Sequence, residues 1–151
     1  MVRLNESQRD HDEEVCRFAH RKLATSSPLD SFRQIWSTCP TVANTVELPK
    51  FPYGGENYEP DVYFIEVRPP LSDHLSHPIY MEWVCEVETK ESINESHTQK
   101  QMRAFTDYFN HNYRPTKVVV LVPNDVLEQM KVNLELWGLS KIVQAYPWGW
   151  D

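Results

Sequence analysis

Cysteine, glycine and long apolar runs are scarce in this chain of 151 residues, and each shortage excludes a class of protein. Cys16, Cys39 and Cys85 are an odd number without close spacing. That argues against a disulfide framework and a zinc knuckle, and favours buried free thiols. Four glycines form no glycine-rich phosphate loop, and Gly-x-Ser-x-Gly is missing, so nucleotide hydrolysis and serine catalysis lack support. No apolar run could cross a bilayer, and Met1-Val2-Arg3-Leu4-Asn5-Glu6 lacks the apolar core of a signal peptide. The expectation is a cytoplasmic protein that does not engage membranes. Basic residues are also in the minority: 15 Lys and Arg against 22 Asp and Glu give a formal net charge of −7. Such a chain repels polyanions unless a local basic patch or a bound divalent ion reverses the sign.

What is present suffices for a core. Hydrophobic residues make up 40% and aromatic residues 12%, with no repeat or low-complexity tract, so residues 1–151 are expected to form a single domain. Its most ordered stretch is Pro60-Asp61-Val62-Tyr63-Phe64-Ile65-Glu66-Val67, followed by Tyr80-Met81-Glu82-Trp83-Val84-Cys85-Glu86-Val87-Glu88-Thr89-Lys90. β-Branched and aromatic content, with prolines on either side, makes both strands. The loop from Pro69 to Pro78 most simply joins them as an antiparallel hairpin. A register centred on that loop sets Asp61 opposite Glu86 and Tyr63 opposite Val84, and the period of two sends Glu88 to the same face as Glu86.

Three carboxylates then crowd one spot. Facing like charges cost stability, so the cluster predicts either a bound cation or a retained proton. Oxygen-only donors suit magnesium, manganese or calcium, and Cys85 alternates to the opposite face. The alternative is a solvated Glu-x-Glu edge, or a register slipped by one or two residues.

The rest of the chain surrounds this hairpin. Residues 7 to 25 read as a helix, with Val15, Phe18, Ala19 and Leu23 at helical spacing and Ser26-Ser27-Pro28 as its stop. Glu14, at the margin of that face, either points inward or forms a rim charge. Ser31 to Trp36 reads as a short helical turn, Thr41 to Leu48 as a strand, and Pro49 to Gly55 as a turn-rich loop leading to the carboxylate strand. A helix running to about Phe109 carries Met102, Phe105, Tyr108 and Phe109 inward, and steps of four from Phe105 bring Gln101 and His97 onto the same stripe. Lys117 to Val122 reads as a strand covered on both faces. Asp125-x-x-Glu128 is spaced as a capping box for a helix with Val126, Leu127, Met130, Leu134 and Trp137 inside and Gly138 at its end. Lys141 to Tyr146 is a last strand, and Pro147-Trp148-Gly149-Trp150 reads as an aromatic tail packed on its own domain.

This order of elements, with Pro60-Asp61 opening one central strand and Glu86-x-Glu88 closing its neighbour, resembles the PD-(D/E)xK nuclease superfamily, over roughly residues 10 to 146. The resemblance implies a restriction-endonuclease-like α/β fold: a single domain with a central mixed β-sheet flanked by helices. Asp61 matches the family Asp and Glu86 the family Glu, while the family Lys position falls on Glu88. A shift by two makes Glu88-Thr89-Lys90 the Glu-x-Lys instead, but then the two acids no longer face each other. Gln101 looks like the Gln of a helix found in several of these nucleases, with Phe105 where Tyr is expected. Glu14 lies where some members carry a helix Glu.

The function so implied is cleavage of DNA phosphodiesters with Mg²⁺ or Mn²⁺ held by Asp61, Glu86 and Glu88. Glu88 orients or deprotonates the attacking water, and Lys90, if it curls back, stabilises the transition state. Gln101, His97, Lys100 and Arg103 are the expected substrate contacts, with Arg114 and Lys117 beyond them. DNA is the expected partner and a homodimer is allowed. The acidic balance and the missing Lys motivate the alternative, a catalytically inactive nuclease-fold module that binds nucleic acid or a protein partner. A third reading is a structural domain whose carboxylates stay solvated.

Overall fold

The β-rich segment after Pro60 becomes the centre of a sheet. The computed structural model describes residues 6–24, 32–68 and 79–150. Along them run α1 (Glu6–Ala24), β1 (Phe32–Ser37), β2 (Phe51–Tyr53), β3 (Glu56–Tyr58), β4 (Val62–Arg68), β5 (Ile79–Val87), α2 (Ser96–His111), β6 (Thr116–Val122), α3 (Leu127–Leu136) and β7 (Val143–Pro147). A short 3-10 turn, Asn124–Val126, leads into α3. The main sheet has the order β1-β4-β5-β6-β7. Its first two pairings are antiparallel and its last two parallel, so this is an α/β fold with a mixed five-stranded sheet flanked by helices.

Alternation along the strands divides the core in two. Tyr63, Ile65, Val84, Val118 and Val120 pack with Met102 and Phe105 of α2 and with Met130 and Leu134 of α3. Val62, Phe64, Cys85, Val119 and Leu121 pack on the other face with Val15, Phe18 and Ala19 of α1. β6 is buried on both faces, as a parallel strand between two layers should be. The β4–β5 register agrees with the expectation: Tyr63 lies opposite Val84 and Val62 opposite Cys85, one step from Asp61 and Glu86. At the end of α3, Gly138 takes φ 74°, and its N–H and that of Leu139 reach back to the carbonyls of Glu135 and Leu134 at 3.0 and 2.8 Å. A left-handed residue closing a helix in this double bond is most easily glycine.

Several local expectations are corrected. Phe32–Ser37 is an edge strand and no helical turn, because it pairs in full with β4. The segment from Thr41 to Leu48 is irregular. Its Asn44 and Thr45 side chains accept from the N–H groups of Ser37 and Ile35 at 2.9 and 3.0 Å, and so cover the exposed edge of β1. The expected turn-rich loop contains a hairpin, β2 with β3, turned by Gly54 and Gly55 at positive φ, and Phe51 is buried under α2. β5 ends at Val87, three residues short of Lys90. Asp125 forms no capping box; its carboxylate pairs with Lys90, and no side chain caps either helical start there. The helix stop Ser26-Ser27-Pro28 and the loop Pro69 to Pro78 lie outside the described residues.

The cysteines are the largest correction. Cys16 on α1 and Cys39 after β1 form a disulfide with Cα atoms 5.1 Å apart, leaving Cys85 as the free, buried thiol. Burial pushes that thiol's pKa up, so it is unreactive in the folded chain. Tertiary proximity of α1 to the end of β1 creates the pair; a separation of 23 residues gives no local signal.

One thiol should therefore titrate with a disulfide reagent, and only after unfolding, while reduction should expose two more. Replacing both Cys16 and Cys39 by Ser should lower unfolding free energy by about 3 kcal/mol through the freer unfolded chain. Three reactive thiols in the unreduced, unfolded protein would disprove the bridge.

Candidate active site

Three backbone segments bring the carboxylates together. Asp61 precedes β4, Glu86 sits in β5, and Glu88 follows β5 while its N–H still bonds to Leu121 O of β6 at 2.8 Å. Asp61 and Glu86 are tied reciprocally across the strand pair. The Asp61 N–H donates to Glu86 Oε2 at 3.1 Å, and the Val87 N–H donates to Asp61 Oδ2 at 2.8 Å. Glu88 Oε2 accepts from Ser92 Oγ and, at 3.4 Å, from Thr98 Oγ1 at the start of α2. Glu86 and Glu88 are each only 6% exposed. The solvated-edge reading of these two residues is thereby corrected: the sheet and α2 cover them.

A fourth group joins them from the opposite side. His11 of α1 places Nε2 3.3 Å from Asp61 Oδ2 and Nδ1 2.9 Å from Asp12 Oδ1. Its hydrogen bond to Asp61, reinforced by both carboxylate charges, overrides partial burial and raises its pKa to about 9. At neutral pH the ring is therefore an imidazolium beside the carboxylates. Glu14 does not reach this cluster. Its carboxylate accepts from Arg17 at 2.7 and 2.9 Å and from the Gly149 N–H, tying α1 to the C-terminal segment. His11 was missed by sequence reasoning, although it lies four residues before Val15 on the apolar stripe of α1 and could have been flagged there.

Protons and the imidazolium supply the compensating charge. Burial first, and then the neighbouring Asp61 and Glu88 charges, hold the Glu86 pKa well above the carboxylate range. Glu88 is pushed up to about 7, mainly by burial, with the hydroxyl of Ser92 and the positive His11 acting against the shift. Crowding of carboxylates and burial both disfavour the charged form, which is the direction of each shift.

The cluster opens into a cleft of about 990 Å³. Gln101 and His97 both line it, as their helical phase predicts. Gln101 is buried and donates to Glu59 O at 3.1 Å, which fixes the chain just ahead of Asp61. His97 is exposed, its ring 5.5 Å from that of Tyr58. The other expected contacts lie elsewhere. Lys90 is at the rim, but its ammonium pairs with Asp125 and does not curl back to the carboxylates. Lys100 is exposed on the outer face of α2, and Arg103 donates to Trp137 O at 3.2 Å behind α3. Arg114 and Lys117 lie over the rings of Tyr80 and Trp83, toward the far end of the sheet. Of the aromatic tail, Trp150 packs on its own chain against Tyr146, ring centroids 4.0 Å apart, whereas Trp148 lines the cleft.

The donor chemistry suits a hard divalent cation, since all three acids offer oxygen and the hydrogen bonds described above use one oxygen of each. The spacing is a different matter. Among the described residues no group of three or more His, Cys, Asp or Glu side chains is already arranged as a ligand set. Side-chain rotation and loss of the shared protons must accompany any metal binding here. Among the described residues no helix is long and apolar enough to cross a membrane. Comparison with protein-family models, with curated proteins and with solved structures returns no match to this chain.

The raised pKa values predict how stability varies with pH. Glu88 binds its proton more tightly folded than unfolded, so its contribution is full below pH 4.5 and is lost as pH rises through about 7. His11 behaves the same way, complete below 6.5 and lost through about 9. Melting temperature should therefore decline from pH 4.5 to 9, and Glu88→Gln should flatten the lower half of that decline. A wild-type melting temperature that climbs steadily over this interval would contradict the proton count.

Proposed function

We propose that the cleft is a divalent-metal-dependent phosphodiesterase site acting on DNA, on a restriction-endonuclease-like scaffold. The observation that carries this reading is the convergence of Asp61, Glu86 and Glu88 on one cleft, the first two held by backbone N–H groups and the third by the hydroxyls of Ser92 and Thr98. Its further support is the resemblance of element order, the mixed sheet and the hairpin register to the PD-(D/E)xK pattern.

A phosphodiester repels nucleophiles through its own charge. Mg²⁺ or Mn²⁺ held by Asp61, Glu86 and Glu88 would neutralise a non-bridging oxygen and lower the pKa of water. The chain's own residues supply the remainder. Glu88 takes the proton of the attacking water. Asp61 and Glu86 keep their positions because each is bonded to the other's strand. Gln101 orients the turn that carries Asp61. With Lys90 engaged by Asp125, no lysine among the described residues stands at the carboxylates, so His11 is the cation of this chain beside them, and a bound metal would supply the rest of the charge stabilisation.

One observation favours the second reading, a nuclease-fold module without turnover. Eight of the residues lining the cleft are Asp or Glu and one, Lys90, is Lys or Arg. Such a lining attracts a basic protein segment more readily than a polyanion.

Nicking of a supercoiled plasmid and melting with and without Mn²⁺ separate the two readings. The nuclease reading expects cleavage with Mn²⁺ or Mg²⁺ at low salt, falling steeply as salt rises, and little turnover with Ca²⁺. Asp61→Ala and Glu88→Gln should each slow it by about a hundredfold or more. Mn²⁺ should raise the melting temperature of the wild type and fail to do so for Asp61→Ala. Stabilisation by Mn²⁺ with intact plasmid would support the binding module, and no response to Mn²⁺ would end the metal reading altogether.

A further inference from the structure

A further buried carboxylate lies on the same face of β5 as Glu86 and Glu88, about 20 Å along the strand from Glu88. Glu82 is 2% exposed, and among the described residues it makes no ion pair with Lys or Arg. Among those residues its compensation is entirely neutral. Tyr63 and Tyr108 both donate their hydroxyls to Oε1, the latter at 2.5 Å, and Asn112 Nδ2 donates to Oε2 while also reaching Thr116 Oγ1 at 2.9 Å. Burial, followed by the adjacent Glu82, pushes both phenol pKa values up, so the tyrosines serve as donors throughout the physiological range.

A buried carboxylate held only by neutral donors is costly, because those bonds do not replace a missing positive charge. An ionised carboxylate offers about four lone-pair positions. Three are in use here, leaving one on Oε2. A cavity of about 350 Å³ opens onto this spot, large enough for a small organic molecule. Its walls include the rings of Tyr63, Tyr108 and Tyr113, the last of them 90% exposed at the rim. Among the described residues the charged groups lining it are Glu82, Glu47 and Arg114, a balance of one negative charge, and Arg114 already lies over the Tyr80 ring, 5.5 Å from its centroid.

We propose that this cavity is a separate binding site for a small organic monocation, an ammonium or amidinium whose N–H reaches Glu82 and whose body lies among the tyrosine rings. The cation supplies the charge that Glu82 lacks, and aromatic faces attract it further. The inference is independent of the cleft reading, because it uses neither the carboxylate cluster nor any metal. It also explains why a glutamate stands at a position where the opposed residue, Ile65, is apolar.

The test is a titration of the full chain with benzamidinium chloride, followed by NMR at the Asn112 side-chain amide and the Tyr113 backbone amide. Sodium chloride serves as the ionic-strength control, and benzamide as the neutral isostere. The expected result is saturable shifts at those groups, with benzamide weaker by at least about tenfold. Glu82→Gln should weaken benzamidinium binding by a similar factor, since it keeps the shape and removes the charge. Should that variant fail to fold, Tyr113→Ala at the exposed rim should still weaken binding by about threefold. Equal affinity for benzamide, unchanged affinity in the variants, or shifts centred on His97 and Gln101 in the other cleft would each overturn the proposal.

Discussion

Pairing of β4 with β5 in a single register fixes where the carboxylates meet, and carboxylates that meet under cover must find compensation. A slip of one residue would turn Glu86 to the α1 face and bring Cys85 into the cleft. The register is held from both sides, since Val62, Phe64 and Cys85 fit one core while Tyr63, Ile65 and Val84 fit the other. Burying Glu86 and Glu88 beside the half-buried Asp61, at the end of such a well-packed pair, creates an electrostatic debt that the rest of the local structure answers. The imidazolium of His11, the raised pKa values of Glu86 and Glu88, and the hydroxyls of Ser92 and Thr98 are the answers.

The same logic recurs at the other end of β5, with a different solution. Glu82 is compensated by phenols and an amide, with no imidazolium bonded to it among the described residues. α2 connects the two places: its first two turns supply Thr98 and Gln101 to the cleft, while Tyr108, near its end, serves Glu82. A helix anchored at both ends by buried polar contacts, and packed in between through Met102 and Phe105, has little freedom to rotate or slide.

α1 is held to the rest by unlike bonds. The Cys16–Cys39 disulfide ties it to the end of β1, Glu14 and Arg17 tie it to the C-terminal segment through Gly149 N and Trp150 O, and His11 ties it to Asp61. The stripe that packs Val15 and Phe18 on the sheet therefore also sets the height at which His11 enters the cleft. This makes the helix part of the site although it packs on the face of the sheet opposite α2.

Local chemistry carried a good part of this. Residue period and the symmetry of a loop between prolines were enough for the β4–β5 register, for the phase of α2 that brings Gln101 and His97 to one side, and for Gly138 as the end of α3, because each depends on neighbours in the chain. Contacts between distant segments decided the rest. Phe32–Ser37 became a strand because β4 offered an edge, Cys16 found Cys39 because α1 crosses the end of β1, and Asp125 took Lys90 in place of a helix cap. His11 and Glu14 show the division most sharply. Both lie near the inward side of one amphipathic helix, and sequence pattern ranks neither above the other. Only the height of α1 against the sheet sends the imidazole to Asp61 and the carboxylate to Arg17 and Gly149, since a side chain's partner depends on where the helix docks and not on its phase alone.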